Sequence, residues 1–308
     1  MNPHPLDRYA ARMRFGSAAA TYADAAVVQR EVGRRLLERF DVMRLSPTRI
    51  VDAGCGPGTH TAALAARFPA ATITAVDHAA AMVERAVPSV AAPETSWLGR
   101  VLGRGQAMAA PTIEGVVSDL RSMPLVRESC DVVWSNFALQ FVDDLPALFA
   151  EWSRVLQLGG VVMFTAPGPD TMIELRRAIN LAGDDPARRG RQFTDLHDVG
   201  DMLVHAGFAD PVMDMEVITL EYGSAEALWR DLRAMGVTNT LASRPRGLMT
   251  PRRLAAIAAA LDAGRRDGGP IRISVEVVYG HAWKVAAKKT AEGHGVVRLE
   301  DIRRGPRT

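Results

Sequence analysis

One carboxylate and three glycines, spaced D-x-G-x-G-x-G over Asp52, Gly54, Gly56 and Gly58, follow the apolar residues Ile50-Val51. Glycine tolerates positive φ and leaves the backbone open to close approach, so the pattern reads as a sharp strand-to-helix turn wrapped around a nucleoside cofactor. A dinucleotide fingerprint starting at Gly54 needs Gly or Ala at position 59, where Thr59 stands, and no Gly-Lys-Ser/Thr follows to make a phosphate-binding loop. The ligand is therefore expected to bring no phosphate to this turn. Asp77 lies 25 residues beyond Asp52, at the end of the apolar run 71–76, where a carboxylate can accept both ribose hydroxyls. Asp119 and Leu120 follow the run 115–118, and could take the amino group and the ring face of a purine. Asn136 closes a fourth run, 131–136, with backbone and cofactor contacts as its expected role.

These residues need a scaffold that brings several strand ends to one edge. Apolar runs at 49–51, 71–76, 115–118, 131–136 and 159–165 alternate with helical stretches, which predicts a parallel, doubly wound sheet with right-handed crossovers and its ligand at the carboxyl edge. Before it, 18–24 and 27–40 read as helices of a leader spanning 1–45, with Val32, Leu36, Leu37 and Phe40 at helical spacing. The core spans 46–167. Beyond it, helices are predicted at 170–182, 195–206, 226–235 and 251–263, and extended segments at 211–222 and 271–284. The segment 168–284 thus supplies lid helices and two more strands, giving an α/β, Rossmann-like seven-stranded sheet with a helical lid. Residues 88–112 read as a loop insertion, and 285–308 as a polar tail.

Composition excludes several classes. With 308 residues and 48% hydrophobic side chains the chain can bury a sizeable core, and a net charge of +2 implies no field suited to nucleic acid. Cys55 and Cys130 suggest neither a disulfide framework nor a zinc site, and no histidine pair has metal-ligand spacing. No apolar run approaches the roughly 20 residues of a membrane span, and the first residues do not read as a secretory signal. A soluble cytoplasmic enzyme without metal is expected.

The D-x-G-x-G-x-G turn resembles motif I of class I S-adenosylmethionine-dependent methyltransferases, whose cofactor is a nucleoside sulfonium. Further resemblance is narrower: Phe15-Gly16-Ser17-Ala18-Ala19-Ala20-Thr21-Tyr22, Gln29-Arg30-Glu31-Val32-Gly33, the segment Ser135 to Pro146, Gly168 to Arg176 and His197 to Asp201 are similar to the malonyl-acyl-carrier-protein O-methyltransferase family of biotin synthesis. The resemblance covers about residues 14–284 and departs from the family in the insertion, in Arg188-Arg189-Gly190-Arg191 and in the tail. It implies S-adenosylmethionine as cofactor and the free carboxylate of malonyl-acyl carrier protein as acceptor. It also implies Tyr22 closing over the sulfonium, Arg176 or Arg233 as a fork on the carboxylate, and a basic carrier-facing surface including Arg177, Arg188, Arg189, Arg191 and Arg230. A protein arginine hydroxylase of the same fold, a methyltransferase for another small acceptor, and a non-catalytic carrier-binding protein remain alternative readings.

Overall fold

The computed structural model describes residues 5–87, 112–183, 193–245, 247 and 249–286. The expected insertion, all but its last residue, the arginine run at 188–191 and almost all of the tail lie outside them. Seven strands form one sheet in the order β3-β2-β1-β4-β5-β7-β6. Strands β1 (Arg49–Ala53), β2 (Thr72–Asp77), β3 (Thr112–Val117), β4 (Cys130–Asn136) and β5 (Leu156–Pro167) run parallel. The two late strands, β6 (Phe208–Tyr222) and β7 (Ile271–Lys284), pair antiparallel to each other, and β7 docks antiparallel on β5. The strand order reverses between β1 and β4, so the crevice at their carboxyl ends is the place for a ligand.

The middles of the central strands are apolar and buried because both faces are covered. Val133, Val162 and Phe164 pack on one side with Leu148, Phe149 and Trp152. Val132, Trp134, Val161 and Met163 pack on the other with Val32, Leu36 and Phe40 of the leader. The first group comes from helix α6 (Leu145–Val155), unassigned in the sequence reading, whose start is set by Asp144 accepting from the Ala147 N–H at 2.9 Å and by Pro146. The late helices α7 (Ile173–Leu181), α9 (Ala225–Ala234) and α10 (Pro251–Ala263) share a smaller core with Ile271 and Ile273, while α8 (Leu196–His205) joins the main one through Val199 and Leu203.

The leader departs from its sequence reading. Helix α1 is Arg8–Ala18, because Asp7 accepts from the Ala10 N–H at 3.0 Å and starts it ten residues early. A short α2 (Tyr22–Ala25) and α3 (Val27–Glu38) follow. The last is pinned to the late strands by charge: Arg35 pairs with Glu216, Arg39 Nη2 donates to Asp214 at 2.7 Å, and the Arg39 guanidinium lies 4.4 Å over the Tyr279 ring. Ahead of α1 the chain is a strap. The Leu6 N–H donates to Asp143 Oδ2 at 3.0 Å and the Asp7 N–H to the Thr240 carbonyl at 2.7 Å. Among the described residues no helix is long and apolar enough to cross a membrane.

Trp152 is fully buried, and its indole N–H has no partner among the described residues. Trp152→Ala is expected to cost about 3–5 kcal/mol of unfolding free energy by urea titration. Trp152→Phe, which also removes the orphaned donor, should cost less than half of that.

Candidate functional site

The turn after β1 is held from beneath. The N–H groups of Gly54 and Cys55 both donate to the Val76 carbonyl, at 2.8 and 3.0 Å, which fastens the turn to the end of β2. Gly54 adopts φ +86°, and a Cβ there would lie 2.5 Å from the Cβ of Ala138. Gly58 opens helix α4 (Thr59–Arg67) at φ +91°, with Ala86 of helix α5 (Ala80–Ala86) 2.5 Å from where its Cβ would be. Both are glycines by steric necessity. Gly56 differs: its N–H donates to Asp77 Oδ2 at 3.1 Å, joining the turn to the acid at the end of β2.

A cavity of about 500 Å³ opens above this turn, under helix α1, walled by Phe15, Tyr22, Asp77, Asp119, Leu120 and Asn136 among others. A smaller hollow continues from it past Gly54 and Gly56 to Asp52, Gln29 and His60. The structure therefore gathers Tyr22, Asp52, Gly54, Gly56, Asp77, Asp119, Leu120 and Asn136 around one space, drawn from four strand ends and the leader. Gly58 stands behind the wall as a packing residue.

Each acid is prepared differently. Asp77 accepts from the N–H groups of Gly56 and Ala79, the latter at 2.9 Å on Oδ1, and a carboxylate so held keeps lone pairs for two hydroxyls. Asp119 is bracketed by Arg121, whose Nε and Nη2 donate at 3.0 and 2.6 Å, with Arg8 of the leader at 3.4 Å; these cations hold its carboxyl down at about 2. It is a fixed negative acceptor. Asp52 is 2% exposed and among the described residues takes only the Thr61 hydroxyl, at 2.6 Å, so burial pushes it up to about 7.

Asn136 has both ends of its amide engaged. Its Nδ2 donates to the Gln29 carbonyl at 2.8 Å, and its Oδ1 accepts from the Thr165 hydroxyl at 2.7 Å. It thereby locks α3 to β5 and contributes to the cavity as a frame. Tyr22 lines both compartments, and desolvation together with the Asp77 charge raises its hydroxyl pKa, keeping it a proton donor. Phe15 completes an aromatic wall, its ring centroid 4.7 Å from Phe141 and 6.3 Å from Tyr22.

The two arginines expected on a substrate carboxylate are elsewhere. Arg176 Nη2 donates to the Pro169 carbonyl, and Arg176 is absent from the described walls of the cavity. Arg233 is exposed in a separate groove on the far side of the leader turn. The cavity instead meets Arg8, Arg12 and Arg121. The first two were invisible in the sequence reading, which began the leader helix at 18; Asp7 as a cap was the available signal.

A cationic nucleoside fits this lining. The partly neutral Asp52 has an unmet demand for positive charge, and the Gln29 Oε1 beside it is buried without a partner among the described residues. An α-amino-acid end could satisfy both, while Asp77 would hold the ribose and Asp119, its acceptor positions taken by the Arg121 N–H and side chain and by Arg8, would stand beside the base as a fixed charge. Asp77→Ala should weaken S-adenosylhomocysteine binding at least about hundredfold by calorimetry, from the loss of charge-assisted hydrogen bonds. A bound cation should lower the raised Asp52 pKa, so S-adenosylmethionine affinity should rise with pH between about 6 and 8, and Asp52→Asn should flatten that profile. The same group acts oppositely on the free protein. Its stabilising contribution is complete below the ordinary carboxyl pKa and is lost as pH rises through about 7, so the cofactor-induced rise in Tm should be larger at pH 8 than at pH 5.

Comparison with known proteins bears on the same residues. Residues 51–164 match the family described as Methyltransferase domain. The YcgJ protein of Bacillus subtilis superposes with a TM-score of 0.54 at 17% identity, over 82% of this chain and 98% of that one, which speaks for the fold. Similarity in sequence reaches further. The malonyl-[acyl-carrier protein] O-methyltransferase of Gallionella capsiferriformans is 41% identical over 298 residues, covering 97% of this chain and 98% of its own. That of Laribacter hongkongensis is 44% identical over 296 residues, covering 95% and 96%. With nearly its whole length matched, the chain belongs to the malonyl-[acyl-carrier protein] O-methyltransferase family of S-adenosylmethionine-dependent enzymes.

Proposed function

We propose that this chain methylates the free carboxylate of a malonyl thioester on an acyl carrier protein, giving the methyl ester that serves biotin synthesis. The observation that carries the reading is the extent of the similarity: it runs through the leader and the late helices at 41% identity over 97% of the chain, beyond the core that fixes only the cofactor. The buried free thiols of Cys55 and Cys130 suit the reducing cytoplasm in which this step belongs.

S-adenosylmethionine, when bound, supplies a methyl group on a positively charged sulfur. A malonyl carboxylate is ionised near neutral pH, with reference carboxyl pKa values of about 4, and so needs no general base. The protein's task is orientation and exclusion of water. Negative charge on the attacking oxygen and positive charge on sulfur both diminish toward the transition state, so a strong ion pair to the carboxylate would stabilise the ground state more than the transition state. Phe15, Phe141 and Tyr22 give the cavity an apolar wall, and of the arginines that also line it Arg8 and Arg121 are paired with Asp119 while Arg12 lies over the Tyr9 ring. Tyr22 offers a neutral hydroxyl that can orient the acceptor without neutralising it, and a ring face compatible with a cation.

The test is transfer of a labelled methyl to malonyl-acyl carrier protein, with acetyl-acyl carrier protein as control. Label on the malonyl form alone is the expected result; S-adenosylmethionine binding with no labelling of either would reject the acceptor. Tyr22→Phe is expected to lower kcat about tenfold or more while S-adenosylhomocysteine affinity changes less than about threefold, as loss of one orienting hydrogen bond implies.

A further inference from the structure

A second recess of about 300 Å³ lies between α1 and α9, lined by Met13, Arg14, Thr21, Arg233 and Thr238 among others. It shares no described residue with the cofactor cavity, yet the two are neighbours through the chain. Thr21 lines the recess and Tyr22, the next residue, lines the cavity. The leader turn is the partition between them.

We infer that this groove seats the phosphodiester of the carrier's phosphopantetheine arm, with Arg233 and Arg14 as its cationic clamp, so that the thioester end crosses the partition at Tyr22. The inference rests on the proposed acceptor and adds the route by which it arrives. Its first support is unneutralised charge. The groove's described lining has two arginines and no carboxylate, and Arg233 makes no ion pair or side-chain hydrogen bond with a described residue. The other large cleft, near Lys284, is different. Of its cations Arg121, Arg154 and Lys284 are paired with Asp119, Glu151 and Glu128, and Glu128 and Glu151 themselves line it beside Arg127, so an incoming anion would have to compete with carboxylates already in place.

The second support is rigidity. Arg14 Nη1 donates to the Thr238 hydroxyl, whose own proton remains available to an anion, and the Thr21 hydroxyl donates to the Ala234 carbonyl at 2.8 Å. Gly236, at φ +67°, brings the turn after α9 so close to α1 that a Cβ would lie 3.1 Å from both the Ala18 Cβ and the Arg14 carbonyl oxygen. Arg233 stands in the last turn of α9, where the helix dipole favours a cation without a carboxylate partner. A fixed guanidinium, a second one free to turn, and a hydroxyl donor match a tetrahedral anion with several acceptor oxygens. Met13, 51% exposed at the rim, offers apolar surface to the arm's methyl groups.

The experiment compares holo-carrier with apo-carrier, which lacks the arm, as ligands of the enzyme saturated with S-adenosylhomocysteine. The wild type should bind the holo form about tenfold more tightly. Arg233→Ala should remove most of that preference and raise KM for malonyl-carrier about tenfold, with kcat, apo-carrier binding and S-adenosylhomocysteine affinity within about twofold. Arg233→Lys should restore part of the preference, and Arg14→Gln should reduce it. An undiminished holo preference in Arg233→Ala, with methylation intact, overturns the groove and leaves the proposed activity standing. Failure of the wild type to methylate malonyl-carrier overturns the activity, and the groove assignment with it.

Discussion

The chain has to leave a fully buried parallel strand, reverse into a helix, and leave an open space at the reversal. That single requirement, met at Gly54 and Gly58, governs the site. Side chains there would strike Ala138 and Ala86, so the turn has no freedom to carry anything but hydrogen. Because it is tied to Val76 and Asp77 through backbone N–H groups, the carboxyl ends of β1 and β2 are held as one unit. Asp77 is consequently positioned by the loop it helps to shape.

Burial then sets the electrostatics. Asp52 is enclosed with a single hydroxyl donor and leans toward its neutral form, whereas Asp119, flanked by Arg121 and Arg8, remains charged under all ordinary conditions. Two carboxylates in adjoining compartments thus differ in their response to a cation. One gains charge when a cation arrives; the other is already committed. The aromatic wall and the leader helix flank this region, and methyl transfer to an ionised oxygen requires such a space to be cleared of water.

The leader is as much a part of the site as the core. Its strap is fastened by Asp143 and Thr240, its third helix by Asn136, Glu216 and Asp214, and its turn at Thr21 separates two recesses. The placement of Arg233 follows from this. Thr21 of that turn lines the recess that holds Arg233, whereas Tyr22, the next residue, lines the cofactor cavity.

Local sequence determined the glycine turn, the acid at the end of β2, the apolar runs of the central strands and the order of the late elements, because each depends on residues a few positions apart. The cofactor class followed from that spacing and the family from longer similar segments. Tertiary structure alone decided which side chains meet. Arg8 reaches Asp119 across 111 positions, Asn136 spends its amide on Gln29, 107 positions away, and Arg233 lies behind the leader turn. Even the start of α1 was legible only with Asp7 recognised as its cap. Such pairings depend on how helices pack over a sheet, a choice made by the summed burial of Phe15, Val32, Leu36 and Phe40, and no periodicity within one segment encodes the partner on another.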